Sequence, residues 1–166
     1  EFFDVGIFFS IFSFVIAIPI FLAQAGGFSG MAASFEAMGK PEHMNFFGVY
    51  STMDIINFCL PPFLLIMGDA NMYQRFFASK TAEGAKSATK VLIFAVLLAE
   101  LMIIFSAWVA SSMIPDAEVG TYVLIYAAHK LLPTFLGAIM MTTIVGIIIS
   151  TAVSYLLVPA TTLMRD

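Results

Sequence analysis

The chain has 166 residues, of which only 11% are charged, and a formal net charge of -4; its mean hydropathy is +1.00. A soluble domain carries roughly 25% charged residues, so this composition excludes an ordinary solvated surface and points to a protein embedded in a lipid bilayer. The net charge, with no basic stretch interleaved with aromatics, excludes nucleic acid as a partner, and a single cysteine, Cys59, excludes an intrachain disulfide or CxxC site.

Val5 to Gln24 is a run of twenty residues without a charge, enough for one membrane span. With Asp4 at its start, it predicts a first helix over about 4–24. The loop that follows, GGFSGMAASFEAMGKPEH, has glycines that permit positive φ near the helix end, and Pro41 resists helix continuation. A second helix is predicted over 46–67, interrupted by Asp54 and by Pro61-Pro62. The two prolines remove backbone donors, which either kinks the helix or exposes backbone acceptors to a substrate. Residues 68–90 form a loop holding four of the seven Lys and Arg residues of the chain: Arg75, Lys80, Lys86 and Lys90. A third helix is predicted over 91–114, with Glu100 inside it. After Pro115 the short apolar stretch Tyr122 to Ala128 is too short to span and reads as a small surface helix. A fourth helix, 131–164, is longer than a bilayer core and should tilt or protrude. The chain begins with Glu1 rather than Met and ends directly after an apolar run, so it reads as an internal piece of a longer protein.

Four spans place the loops alternately. Lys40 and Lys130 share one side; Arg75, Lys80, Lys86, Lys90 and Arg165 share the other. Five against two in short loops puts 68–90 in the cytoplasm. The basic loop is therefore a topology signal before it is anything else.

The fourth helix carries the most chemistry. With Thr143 at zero and roughly 100° per residue, Ser150 falls near -20°, Ser154 near +20° and Thr161 near 0°. Four hydroxyls form one stripe, with Gly146 beside it. Such a stripe faces protein or water; it either packs helices or lines an ion path. In Ser150-Thr151, two adjacent hydroxyls could straddle a hard alkali cation, with a freed carbonyl such as that of Ile147 adding a third oxygen. Asp54 and Glu100 each need a reason, because an acid at mid-span costs roughly 2.5–3.5 kcal/mol.

Two of these segments, with one more, carry a resemblance. Gly68-Asp69, Gln74-Arg75, Ala78 and Lys80, then the Ala-rich basic run through Ala88, resemble the loop after the sixth core helix of the sodium/solute symporter family. STAVS at 150–154, with Arg165-Asp166 eleven residues after Ser154, resembles that family's eighth core helix, and GGFSG at 26–30 the loop after its fifth. The resemblance implies an all-α membrane protein: four helices, core helices five to eight, of a five-plus-five inverted-repeat, LeuT-like transporter. It implies sodium-coupled symport of a small organic solute across the cytoplasmic membrane. It implies a sodium site at Ser150, Thr151 and the Ile147 carbonyl, and a second sodium site at Asp4 and Ser154. Val153 departs from the family pattern at that second site, and Pro159 departs elsewhere. Helix six should line the substrate pocket, making Asn57, Phe58 and Phe63 its candidates. Family substrates include sugars, proline, sialic acid, vitamins and small carboxylates, and nothing in the residues chooses among them. The competing reading is a passive channel or membrane scaffold subunit whose stripe only packs helices. An enzyme has no HExxH motif or Ser/His pairing to stand on.

Overall fold

The computed structural model describes residues 2–165 apart from 71, 72, 74–76, 78 and 116; side chains are described outside 2–10, 117–119, 154, 158, 161, 162 and 165. Among the described residues the protein is all-helical, with α1 at Phe2–Gln24, α2 at Gly27–Ala37, α3 at Thr52–Met67, α4 at Ala82–Ser111, α5 at Val123–Lys130 and α6 at Thr134–Arg165. Short 3-10 turns at Pro41–Met44 and Ala117–Tyr122 link them. By length and apolarity, two helices can cross a membrane, α4 and the Thr134–Leu157 part of α6; a third is gained if the bent pair α1 and α2 is one span.

The break between α1 and α2 is local chemistry. Gly26 and Gly27 both sit at positive φ, 76° and 71°, a region costly for any residue with a Cβ. Two such residues in succession turn the chain by 65°. Gly30 lets the new helix pass close to the Ala25 carbonyl, where a Cβ would overlap that oxygen. The expected loop over 25–45 is therefore mostly helix. The glycines end one helix, but MAASFEA, which follows, is made largely of residues that favour another.

Other boundaries also move. The second helix begins at Thr52 rather than 46, because Ser51 and Asp54 form a reciprocal capping box: Ser51 N–H and Oγ donate to Asp54 Oδ2 at 2.9 and 2.7 Å, and the Asp54 N–H donates to Ser51 Oγ at 3.3 Å. Asp54 is thus a helix-start residue and not an acid inside a span. The remaining 16 residues cover only about 24 Å, short of the roughly 30 Å hydrocarbon core. They stay helical through Pro61-Pro62, so no break occurs there. The third helix begins at Ala82 rather than 91, capped by Thr81 Oγ1 on the Gly84 N–H. Charge ends the apolar part of a helix, but Ala and Lys are good helix formers, so Lys86 and Lys90 lie on α4 itself. The expected surface helix after Pro115 buries Ala127 and Ala128 completely; as α5 it is part of the core.

Packing is concentrated at one end. Phe14, Ala17 and Phe21 of α1 meet Met31 and Phe35 of α2, Val109 and Ala110 of α4, Ala127 and Ala128 of α5, and Met140 of α6. Gln24 Nε2 donates to the Leu131 carbonyl at 2.7 Å, and Ser13 meets Thr143 further along, so α1 and α6 are antiparallel. Phe28 packs on Phe105 and Trp108, and Trp108 Nε1 donates to the His43 carbonyl at 2.8 Å. The end of α1 therefore lies beside the end of α4, and those two helices are parallel. The chain between them must return, and α3 lies on that return. At the other end α3 buries no residue, and α4 from Val91 to Leu101 and α6 from Val145 to Val153 carry mostly exposed apolar side chains. Apolar helix faces of this extent are completed by lipid or by further helices.

Candidate functional site

The hydroxyl stripe on α6 divides into two environments. Thr143 belongs to the packed end: its Oγ1 lies 3.0 Å from Ser13 Oγ, and the two residues are 8% and 6% exposed. That is helix packing through a polar contact. Ser150, seven residues on, lies in the open half of α6. It is half-buried while Val145 to Ile149 and Thr151 to Val153 are exposed. Thr143 and Ser150 share a face at roughly 100° per residue, so the side of α6 that touches α1 at Thr143 is also the side that partly shelters Ser150.

Thr151 points elsewhere, about 80° round the helix from Thr143. Its Oγ1 donates to the Ile147 carbonyl at 2.9 Å. This is the back-bond a helical threonine makes to the preceding turn. It brings the hydroxyl and carbonyl oxygens that the sequence singled out into direct contact. Two oxygens this close can share one cation once the hydroxyl proton rotates away. Gly146, just before, has no atom within 4 Å of where a Cβ would stand, so α6 is open there too. Among the described residues no three His, Cys, Asp or Glu side chains gather; what this part of the bundle offers a cation is neutral oxygen.

The remaining candidates are not assembled with this pair. Asn57, Phe58 and Phe63 lie exposed on α3, which buries nothing. Because Pro61 and Pro62 have no N–H, the carbonyls of Asn57 and Phe58 lack their helical donors, so α3 displays two backbone acceptors that the sequence marked only as a kink. The side chains of Asp4 and Ser154 lie outside the described residues, as do Gln74, Arg75 and Ala78 of the basic segment. The helical register still bears on Asp4. Counting from the Ser13–Thr143 contact, nine residues back along α1 is level with Ala152 on α6, so the depth suits a site near Ser154.

Sequence reasoning missed Ser13. An isolated hydroxyl in an apolar run, with Ser10 the other serine of that run, does not announce a partner, and that of Ser13 is 130 positions away. It missed Trp108 and Gln24 for the same reason. Comparison with protein-family models, with curated proteins and with solved structures finds no match.

Proposed function

We propose that the chain is part of a sodium-coupled symporter that carries a small organic solute across the cytoplasmic membrane, with the coupling ion at Ser150, Thr151 and the Ile147 carbonyl. The observation that carries the reading is the 2.9 Å contact of Thr151 Oγ1 with the Ile147 oxygen, beside half-buried Ser150 and on a part of α6 long and apolar enough to cross a membrane. A coupling ion must bind and leave in every cycle, which neutral oxygens permit better than a cage of carboxylates. The open side of α6 at Gly146 and Thr151 leaves room for the helix that would supply the other ligands in a LeuT-like arrangement. In this reading Lys80, Lys86 and Lys90 face the cytoplasm by the positive-inside rule, and the free carbonyls of Asn57 and Phe58 give α3 acceptors for a polar solute. Asp4 with Ser154 remains the proposed second ion site, on the depth of the two positions along their helices.

A passive channel or scaffold subunit is the second reading, favoured by the Ser13–Thr143 contact at one end of the stripe. The test is uptake into vesicles by the full-length protein. Symport requires accumulation against a gradient that collapses without sodium, and Ser150→Ala with Thr151→Val should greatly raise the sodium concentration needed for half-maximal uptake. Accumulation that ignores sodium, or a double variant with unchanged sodium dependence, overturns the assignment.

A further inference from the structure

We infer that the Ser13–Thr143 hydrogen bond is a positioning contact that makes α1 the back wall of the ion site at Ser150 and sets that site's affinity. The inference rests on the sodium-site reading above and adds residues to it.

Three observations carry it. The bond joins two helices at two buried side chains, 6% and 8% exposed, so it is a directional contact between α1 and α6 that water does not reach. It lies where the packed end of the α1–α6 interface gives way to the open half: Met140 is buried, and between Val145 and Val153 α6 is exposed except at Ser150. Finally, Thr143 and Ser150 are two turns apart on one face, so whatever holds α1 against Thr143 also decides how α1 stands against Ser150, about 10 Å away along the helix. The surrounding contacts, among them Phe12, Ile16, Leu136 and Ile139 around a void of only about 10 Å³, are apolar and do not fix register by themselves; a directional bond between two hydroxyls does. Thr143 then acts through α1 and does not touch the ion.

Ser106 supplies a control, since its hydroxyl is fully buried but bonds within its own helix, to the Met102 carbonyl at 2.7 Å.

The experiment uses the full-length protein in proteoliposomes, with Ser13→Ala, Thr143→Val, the two combined, the hydroxyl-keeping Ser13→Thr and Thr143→Ser, and Ser106→Ala. Uptake is titrated with sodium, and the sodium-dependent thermal shift is measured as a second readout independent of turnover. Interhelical hydroxyl bonds in membranes correspond to about a three- to twentyfold change in affinity. Half-saturating sodium should rise within that range in each alanine or valine variant, by the same factor in the combination, because either change breaks the same interhelical bond. The hydroxyl-keeping variants and Ser106→Ala should keep wild-type sodium dependence. Lower melting temperatures with unchanged sodium dependence would make the contact packing alone and overturn the inference. So would a rise in one single variant without the other. A wild-type protein indifferent to sodium would instead overturn the ion-site reading, and this inference with it.

Discussion

Gly137 and Gly146 are both interior glycines of α6, and the structure assigns their alanine variants opposite outcomes. At Gly137 a Cβ would overlap the Ala128 carbonyl oxygen and stand 3.4 Å from its carbon. Both atoms are backbone, so no rotamer change relieves the clash; α5 must move. Restoring an ordinary carbon–oxygen contact needs a shift of about 1 Å. That shift is resisted by Ala127 and Ala128, both buried in the core. Overpacking of this kind costs about 1–3 kcal/mol, less the roughly 0.5–1 kcal/mol that alanine contributes over glycine inside a helix. At Gly146 nothing lies within 4 Å, so only the helix-propensity gain remains. Thermal unfolding of the purified full-length protein in one detergent should place Gly137→Ala below wild type. Gly146→Ala should melt at or slightly above wild type. Equal melting temperatures for the two variants would refute the argument that α5 and α6 meet at backbone contact. A large fall at Gly146 would show another helix seated on the open face.

Other contacts give shorter tests. Trp108→Phe keeps an aromatic ring beside Phe28 and Phe105 but loses the bond to the His43 carbonyl; it should cost about 0.5–1.5 kcal/mol and speed proteolysis within 39–50, and unchanged proteolysis would count against the tether. Ser51→Ala removes the capping box and should destabilise the start of α3 by about 1 kcal/mol, seen as faster amide exchange at Thr52 to Ile55. Cysteines placed at Lys80 and Lys40 should label from the cytoplasmic and external sides respectively; labelling of position 80 from outside would invert the proposed orientation. Thr162→Ala, well off the hydroxyl stripe, should leave sodium dependence unchanged where Ser150→Ala with Thr151→Val alters it.

The sequence by itself determined that this is a helical membrane-type chain, because an 11% charged composition and long apolar runs leave few other ways to satisfy backbone groups. It also singled out the Ser150-Thr151 hydroxyl pair, because two adjacent hydroxyls in an apolar helix stand out in one dimension; that Thr151 bonds the Ile147 carbonyl is read from the structure. Helix ends were less legible. Lys86 and Lys90 look like loop by hydropathy and are helix by propensity, and Asp54 looks like an intramembrane acid until its reciprocal bonds to Ser51 make it a cap. What only the tertiary structure decided is which part of the stripe packs and which stays open. Thr143 and Ser150 are equivalent on a helical wheel; the difference between them is that Ser13, 130 residues from Thr143, reaches one and not the other. Periodicity reports the face of a helix, but the occupant of that face is set by contacts between segments distant in sequence, and those contacts exist only after the chain has folded back at Gly26 and Gly27 and returned through α3.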